Sequence, residues 1–379
     1  MKNLLIRMIQ SFLKVFYIFP IKKNRVLFSA YSGKNYSCNP KYISEELHRR
    51  YGNKTEIIWA FQDPSHYDFL KDQYRIVRFK SLPFLYYILT SRVVVDNVES
   101  WSILPKRKGQ CVINTWHGGG AYKGVGLQRK DTDAALDQNM LRKHSRVDIY
   151  LSSSKAFTEM TLRKSFGFKG RVIECGMPRN DILLYKSDQL ISDIKHKLNI
   201  AQNSHCVIYA PTFRKDTDYR FELDPVQTIN ALKKRFGGEW VMLYRAHYYV
   251  GDNLFAKEHI MDVTSYDDMQ ELLLISDVLI TDYSSSIWDF SLTQKPAFLY
   301  TPDIDHYQNE RAFYTPIEEW PYPCASNMDS FLKLIIQYDR ESAIEKINKH
   351  HNLLGIKESG KASVKVSKII ASITMQTLK

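Results

Sequence analysis

A histidine followed by three glycines stands after one of the apolar runs of the chain. His117, Gly118, Gly119 and Gly120 come directly after residues 111–116. Glycines let a backbone approach a ligand closely and offer N–H groups to an anion, and a neutral imidazole can accept a proton. The segment therefore combines a candidate base with a candidate anion-binding loop. The alternative is a glycine-rich turn with an incidental histidine.

Hydroxyl and cationic side chains follow two later apolar runs. They are Pro211, Thr212 and Arg214 after residues 206–209, and Arg245 and His247 after residues 240–244. Arginine and histidine are poor core residues, and a guanidinium is always charged and can bind a phosphate through two parallel hydrogen bonds. These positions predict a diphosphate site, with a surface ion pair as the alternative for each arginine.

Three consecutive serines, residues 284–286, lie between the apolar run 278–281 and a predicted helix at 287–292. A serine at a helix start is first of all an N-cap, but capping needs only one. Hydroxyls, free N–H groups and the helix dipole together favour an anion. Asp289 falls one turn into the helix, where its carboxylate is expected to accept a hydrogen bond from a ribose or polyol hydroxyl.

Alternating strands and helices are needed to bring these groups together. The predicted strands are residues 25–31, 56–61, 74–79, 92–97, 111–116, 148–152 and 171–175, then 206–209, 240–244, 260–263, 278–281 and 297–300. The predicted helices include residues 40–50, 154–166, 225–236 and 266–275, and a helical tail from 328 to 379 interrupted near Gly355 and Gly360. Near-continuous apolar strands are typical of parallel sheets covered on both faces.

The pattern indicates an α/β protein with two Rossmann-like domains that face a central cleft. A polar break at residues 185–193 separates them, so we expect an N-terminal domain at 23–186 on the acceptor side. The C-terminal domain, with the C-terminal helices, is expected at 187–379. Ligands of such sheets bind beyond the carboxyl ends of the strands, which is where the candidate residues stand.

Residues 1–22 predict an amphipathic helix that associates with a membrane. Its apolar face is formed by Leu5, Met8, Ile9, Phe12, Phe16 and Phe19, and its polar face by Asn3, Arg7, Gln10 and Lys14. Two interior charges argue against a spanning helix, and no small-residue cleavage site follows. A basic amphipathic helix with aromatic residues is typical of a membrane interface. The alternative is a helix that packs on its own domain.

Composition restricts the partners and the compartment. The 379 residues carry 53 Lys+Arg against 41 Asp+Glu, a formal net charge of +12, which favours anionic partners. Nucleic acid is disfavoured because the basic residues are dispersed and no zinc-finger spacing or aromatic RNA-binding motif is present. The five cysteines form no CxxC pair, which fits a reduced cytosol. The Asp-x-Asp spacings arise readily by chance, so no metal site is predicted.

Several motifs in order resemble the CDP-glycerol glycerophosphotransferase family, the membrane-associated enzymes that build teichoic acids and related capsule polymers. The matching segments are residues 28–34 (FSAYSGK), 39–42 (NPKY), 116–118 (WHG), 176–181 (GMPRND), 209–214 (YAPTFR), 245–247 (RAH), 277–285 (DVLITDYSS), 288–290 (WDF) and 311–314 (RAFY). They span nearly the whole chain. The resemblance implies a GT-B-like fold and an N-terminal element that associates with the membrane.

The resemblance also implies roles for individual residues. His117 matches the catalytic base and His247 the second essential histidine of the family, with Arg245 near the donor phosphates. The positions that match binding of the CDP-polyol donor are Gly118, Arg179, Pro211, Thr212, Ser284, Ser285 and Asp289. Gly119, Gly120, Arg214 and Arg311 are added as donor-binding candidates from their place in the motifs. The chain departs from the family where Gly119-Gly120 replace a frequent Thr-Pro and Ala312 replaces a glycine.

The implied activity is transfer of glycerol phosphate, or a related polyol phosphate, from CDP-glycerol to a hydroxyl of a membrane-linked acceptor, with release of CMP. The acceptor would be a lipid-linked glycan or a polyol-phosphate chain at the cytoplasmic face of the membrane, with no cofactor and no obligatory protein-bound metal. The alternative is a GT-B nucleotide-sugar glycosyltransferase of cell-surface polysaccharide synthesis. The resemblance leaves open glycerol or ribitol as the polyol, and priming or polymerisation as the reaction.

Overall fold

The structure is a computed structural model that describes residues 2–130, 133–185, 187–212, 223–245, 260–310 and 312–375. The chain forms two compact units, each with its own sheet. The first contains Met1–His117, Thr132–Asp181 and Lys357–Lys379, and the second contains Gly118–Asp131 and Ile182–Ile356.

A parallel sheet organises the first unit. Its strands in the described residues are β1 (Lys22–Phe28), β2 (Glu56–Phe61), β3 (Arg75–Arg78), β4 (Ser91–Asp96), β5 (Cys111–Asn114), β6 (Ile149–Ser152) and β7 (Arg171–Glu174). They lie side by side in the order β3-β2-β1-β4-β5-β6-β7, and every pair is parallel. The order reverses between β1 and β4, which is the place where ligands bind in doubly wound sheets.

The sheet of the second unit has the strand order 3-2-1-4-5-6 of a Rossmann fold. Its strands in the described residues are β8 (His205–Tyr209), β9 (Trp240–Tyr244), β10 (Ile260–Asp262), β11 (Val278–Thr281), β12 (Ala297–Tyr300) and β13 (Cys324–Ala325). The observed order is β10-β9-β8-β11-β12-β13, again with parallel pairing throughout. The order reverses between β8 and β11.

Helices cover the two sheets. They are α1 (Lys2–Leu13), α2 (Cys38–Tyr51), α3 (Leu82–Thr90), α4 (Ala134–His144), α5 (Asp181–Leu184), α6 (Asp188–Lys197), α7 (Pro225–Phe236), α8 (Met269–Ile275), α9 (Ser286–Ser291), α10 (Ile304–Glu310), α11 (Met328–Ile336), α12 (Arg340–Leu354) and α13 (Ala362–Met375). A π-helical segment, Phe157–Ser165, stands between β6 and β7. Side-chain oxygens cap several of these helices, including Asp133 on α4 and Asp224 on α7.

The sequence-based strands are confirmed, and most bounds agree within three residues. The apolar runs 56–61, 240–244, 278–281 and 297–300 have the same bounds in the structure. Only β13 was missed among the described strands, because a two-residue strand carries no periodic pattern.

The structure divides the chain differently from the expected boundaries of 23–186 and 187–379. The C-terminal helix α13 belongs to the first unit, where Ala362, Val366 and Ile370 are buried in the same core as β1 and β4. The expected assignment of the whole tail to the second domain was therefore wrong. The loop 118–131 belongs to the second unit, because Tyr122 packs against Trp320 in that core.

Residues Lys2–Leu13 form a helix that continues as a 3-10 turn at Lys14–Ile18. The Gln10 side chain donates to the Ile103 carbonyl, and the Arg107 guanidinium donates to the carbonyls of Tyr17 and Phe19. Phe12 is 77% exposed and Ile18 is 76% exposed. No helix in the described ranges is both long and apolar enough to cross a bilayer.

Candidate active site

His117 lies just beyond the carboxyl end of β5, and its ring is fixed by a main-chain carbonyl. The Nδ1 atom is 2.9 Å from the Asn97 carbonyl oxygen. A carbonyl oxygen can only accept a hydrogen bond, so Nδ1 must carry the proton. The other ring nitrogen, Nε2, therefore keeps its lone pair in the neutral ring. The arrangement selects the tautomer that a general base requires.

Asn97 is itself held at the place where the strand order reverses. Its side-chain oxygen accepts from the Tyr31 backbone N–H at 2.7 Å, which ties the residue after β4 to the loop after β1. The preceding Asp96 carboxylate accepts from the Ser29 hydroxyl and from the Asn97 backbone N–H. Burial raises the pKa of Asp96 to about 7, although hydrogen bonds from Ser100 and Ser29 oppose the rise. The support for His117 is thus a hydrogen-bonded, buried junction.

The electrostatic surroundings keep the imidazole of His117 neutral. Burial, together with the charge of Arg179, lowers the pKa of His117 to about 4, although the hydrogen bond to the Asn97 carbonyl opposes the decrease. Above that pH the ring carries no charge and can accept a proton. Tyr31 and Trp116 contact the ring, with centroids 5.7 and 4.3 Å away.

Arg179 lies beside the same loop and is only 2% exposed. Its backbone N–H donates to the Asn39 side-chain oxygen at 3.1 Å. The amide nitrogen of the buried Asn39 donates in turn to the carbonyls of Thr115 and Trp116. Asn39 therefore links the Arg179 segment to the histidine loop. The predicted binding of the donor by Arg179 stays a prediction.

In the second unit, Thr212 follows β8 and is bound to Asp282, which follows β11. The Thr212 backbone N–H is 2.9 Å from each carboxylate oxygen of Asp282, and its hydroxyl donates to the same group at 2.6 Å. Asp282 also accepts from the Tyr283 backbone N–H. The two strand ends that flank the reversal of strand order are thus joined by one buried carboxylate.

The serines after Asp282 form a compact polar turn at the start of α9. The Ser284 hydroxyl oxygen accepts from both the backbone N–H and the hydroxyl of Ser286, at 3.3 and 3.0 Å. Ser285 is the residue that precedes the helix, and no side chain caps the helix there. Hydroxyls and backbone N–H groups of this turn can donate to an anion beyond β11.

Arg245 follows β9, the strand next to β8. Its backbone N–H donates to the Tyr209 carbonyl at 2.9 Å, and its guanidinium donates to the Tyr266 carbonyl at 2.6 Å. Pro211 and Thr212 follow the same Tyr209 at the end of β8. The carboxyl ends of three adjacent strands thus carry Arg245, Thr212 and the serine turn, as expected from the sequence.

Asp289 is 4% exposed and accepts a hydrogen bond from the buried Gln270 side chain at 2.9 Å. Gln270 was not anticipated as its partner. Gln270 lies on α8, so one oxygen of the Asp289 carboxylate is already bound to a side chain within the protein. Its expected contact with a polyol hydroxyl stays a prediction.

Gly119 and Gly120 have a packing role that the sequence did not reveal. A Cβ atom on Gly119 would lie 2.5 Å from Cδ1 of the buried Trp288, and one on Gly120 would lie 2.9 Å from Cβ of the same residue. Gly120 also has a φ of +78°, which disfavours any side chain. The absence of side chains therefore lets the loop lie directly on the core, and donor binding by these two glycines stays a prediction.

The comparisons with known proteins agree with this arrangement. The model of the family described as CDP-Glycerol:Poly(glycerophosphate) glycerophosphotransferase matches residues 11–372. The chain belongs to this family. The teichoic acid poly(glycerol phosphate) polymerase of Bacillus spizizenii is 30% identical over 96% of this chain and 96% of its own length. A similar polymerase of Staphylococcus epidermidis is 31% identical over 92% of this chain, which spans 51% of that protein.

A solved structure has the same architecture over the whole chain. It is the wall teichoic acid polymerase TagF, in a histidine-to-asparagine variant with CDPG. It is 28% identical, covers 100% of this chain and 97% of that one, and has a TM-score of 0.84. The expected GT-B-like α/β fold and the resemblance are confirmed. As a glycerophosphotransferase of this family, the chain is a transferase of teichoic acid biosynthesis.

Several predicted positions of this glycerophosphotransferase are not settled by the geometry. His247, Arg214 and Arg311 lie outside the described residues. Gly118 is buried and begins the second unit. Across the described ranges, no group of three or more histidine, cysteine, aspartate or glutamate side chains is arranged to hold a metal ion. The expectation that the reaction needs no protein-bound metal stays a prediction.

Asn97 and Asp282, like Asn39 and Gln270, are supporting residues whose contacts the sequence did not reveal. Asp282 stands within the matched segment 277–285, but its bond to Thr212 joins residues 70 positions apart. Its sequence signal was an acid directly after an apolar strand. Asn97 contacts His117 through its main-chain carbonyl. Because every residue has such a carbonyl, no side-chain type in the sequence indicates that contact.

Proposed function

We propose that the chain transfers glycerol phosphate from CDP-glycerol, or a related polyol phosphate from another CDP-polyol, to a hydroxyl of a membrane-linked acceptor. The observation that carries the proposal is the hydrogen bond from His117 Nδ1–H to the Asn97 carbonyl, which leaves Nε2 ready to accept a proton. Relatives named as glycerol-phosphate polymerases and a glycerol-phosphate primase support the choice of donor.

His117 acts as the general base in this proposal. Its Nε2 takes the proton of the acceptor hydroxyl while the hydroxyl oxygen attacks the β-phosphorus of CDP-glycerol in line. A bond forms between that oxygen and the β-phosphorus, and the bond from the β-phosphorus to the oxygen bridging the two phosphates breaks. CMP leaves with the bridging oxygen. Positioned proton transfer of this kind contributes roughly 10²–10⁴-fold to a rate.

The second unit supplies the electrostatic part of the reaction. Arg245 and the serine turn at Ser284 and Ser285 lie at the ends of the two strands that flank β8, where they bind the donor diphosphate and stabilise the charge that develops on it. Thr212 stands at the strand end between them, and both its backbone N–H and its hydroxyl donate to Asp282. Asp282 acts by holding Thr212 in place. His247, Arg214 and Arg311 join this group in the proposal on the resemblance alone. Positive side chains and backbone N–H groups take the place of an obligatory metal, and no cofactor is required.

The N-terminal helix is proposed to hold the enzyme on the cytoplasmic face of the membrane as a peripheral protein. Met8 is 62% exposed and Phe12 is 77% exposed, so large apolar side chains project from this segment into solvent. Insertion of such side chains at a lipid interface removes them from water, and nearby lysines attract anionic lipid. A lipid-linked acceptor would be reached from the same surface.

Incubation with CDP-[¹⁴C]glycerol and a lipid-linked acceptor tests the activity. We expect labelled product and CMP from the wild type, and a loss of roughly 10²–10⁴-fold in kcat for His117→Ala with an unchanged far-UV spectrum. His66→Ala is the matched control, because His66 is a solvent-exposed histidine of the same unit. Full activity of His117→Ala would remove the base from the mechanism. Transfer from a UDP-sugar instead of CDP-glycerol or CDP-ribitol would favour the glycosyltransferase alternative.

A further inference from the structure

Lysines make up half of the residues that line a small cavity of the first unit. Its volume is about 240 Å³, and Lys357, Lys361, Lys365 and Lys368 line it together with Glu174. These four lysines and the space between them are called the lysine pocket below. Pockets for drug-sized ligands measure roughly 300–1,000 Å³, so the lysine pocket suits a single small anionic group.

The positive charge of the lysine pocket is only partly neutralised by the protein. Lys357 forms an ion pair with Glu174 at 3.5 Å. Lys361, Lys365 and Lys368 are exposed, and none of these three ammonium groups forms an ion pair with any described residue. Lys365 and Lys368 lie on α13 and Lys361 directly precedes it, so the spacing of four and three residues places the three lysines on one side of this segment. Like charges at this spacing destabilise a helix, so the arrangement gives no advantage to folding.

The helix terminus does not create the positive site. The first backbone N–H groups of α13, those of Ala362 and Ser363, donate to the Asp181 carboxylate at 3.0 and 2.8 Å. An acidic group therefore already caps the helix. Any attraction for an anion in the lysine pocket comes from the ammonium groups.

The lysine pocket lies at the same edge of the sheet as His117. Glu174 is the last residue of β7, and the Lys357 backbone N–H donates to the carbonyl of Ser153, just after β6. The lysine-bearing segment thus covers the carboxyl ends of β6 and β7. His117 follows β5, which is the next strand in the sheet. The end of β7 at the lysine pocket and the end of β5 at His117 are therefore two strand spacings apart, which is about 10 Å.

We propose that the lysine pocket binds a phosphodiester group of the acceptor chain, behind the terminal hydroxyl that His117 activates. The proposal rests on the proposed function and specifies its acceptor: a chain with an internal phosphodiester, rather than one with none, is the preferred substrate. Lysine is a mobile point charge that pairs with phosphate without a fixed geometry, which suits a flexible polymer. The binding weakens as salt rises, because exposed charges are screened.

The triple variant Lys361→Gln, Lys365→Gln, Lys368→Gln tests the lysine pocket. We expect the KM for an acceptor with several glycerol phosphate units to rise roughly tenfold, while the KM for CDP-glycerol and kcat stay unchanged. For an acceptor without any glycerol phosphate unit, the KM should change by less than about twofold. The matched control is Lys333→Gln, Lys346→Gln, Lys349→Gln, which removes the same charge from exposed positions of the second unit.

The outcomes separate this proposal from the proposed function. Equal KM values of wild type and triple variant for the longer acceptor, in a wild type that is active, overturn the lysine pocket alone. If the wild type transfers nothing from CDP-glycerol, the proposed function fails, and fluorescence anisotropy of a labelled oligo(glycerol phosphate) tests the pocket directly. Tighter binding to the wild type then supports it, and equal binding overturns it. Loss of binding to phosphatidylglycerol vesicles with an unchanged acceptor KM would assign the pocket to lipid headgroups and overturn the proposal.

Discussion

His117 depends on its neighbours for the properties that a base needs. The Asn97 carbonyl fixes the proton on Nδ1, and burial with the charge of Arg179 keeps the ring neutral. A base of low pKa is always available near pH 7 but accepts a proton with less driving force. A phosphorylated substrate beside the ring would raise the pKa again by favouring the imidazolium.

This balance predicts the pH dependence of the reaction. The pKa of His117 lies at about 4 instead of 6.5, so the neutral, active form persists as the pH falls and is lost only near pH 4. We expect kcat/KM, which reports the free enzyme, to stay level from pH 8 to about pH 5 and to fall below that. Arg179→Met removes a charge that lowers the pKa, so its acidic limb should move to higher pH.

The measurement is the pH profile of kcat/KM for both proteins, with activity recovered on return to neutral pH as the control for unfolding. An acidic limb of the wild type at pH 6.5 or above would contradict a base whose ring is held neutral by its surroundings. An unshifted limb in Arg179→Met would remove the electrostatic role of that guanidinium.

At the scale of residues, the sequence identified the candidate side chains of the site better than the hydrogen bonds and packing contacts that they make. Thr212, Arg245 and the serines were found because their types are unusual directly after apolar strands. Asp289 was found because it falls one turn into the helix that follows the serines, but its bond to Gln270 joins two helices and has no local signal. Gly119 and Gly120 looked like ligand-binding glycines because a close approach to Trp288 and a close approach to a phosphate need the same residue type.

The elements were predictable wherever an apolar period continued for several residues. Buried parallel strands such as β4 and β11 are nearly continuous apolar runs, and their ends coincide with the first polar residues. The segment 154–166 was expected as an α-helix but contains π-helical turns at Phe157–Ser165. The π-helix has about one more residue per turn than the α-helix, which barely changes the pattern of apolar positions over a short segment. The sequence therefore cannot distinguish a π-helical segment from an α-helical one.

The N-terminal segment carries a prediction about membranes. The double variant Phe12→Ser, Ile18→Ser removes two exposed apolar side chains of that segment. We expect its flotation with phosphatidylglycerol vesicles to weaken by on the order of 10²-fold, since each lost side chain reduces the apolar area that lipid can bury. Leu82→Ser, Leu353→Ser is the matched control, because Leu82 and Leu353 are 73% and 81% exposed elsewhere. Equal flotation of the two double variants would contradict membrane association through this helix.

At the scale of the molecule, two Rossmann sheets are built from a chain that returns to its first unit at the end. The polar break near residue 186 indicated where the chain passes into the main part of the second unit, a passage that the structure places between Asp181 and Ile182. The return at Lys357 had no such signal, because Gly355 and Gly360 also fit a simple break between helices of one domain. Tertiary contacts decide on which core an amphipathic helix packs, and the apolar period of the helix does not indicate it.

The last helix therefore predicts how stability is distributed. Ile370 on α13 is fully buried in the core of the first unit, and Ile347 on α12 is 3% exposed in the core of the second. Each substitution Ile→Ala leaves a cavity that costs about 2–5 kcal/mol. We expect Ile370→Ala to lower the protection of amides in β1 and β4, and Ile347→Ala to lower that in β8 and β11.

Hydrogen exchange followed by mass spectrometry at increasing urea measures both effects in one experiment, because it reports the opening free energy of each segment separately. Leu353→Ala controls for substitution on a helix surface, since the Leu353 side chain is almost fully in solvent. If Ile370→Ala weakened β8 and β11 while β1 and β4 kept their protection, the C-terminal helix would belong to the second unit after all. An equal loss in both sheets would mean that the two cores unfold together, in which case their separate packing would not translate into separate stability.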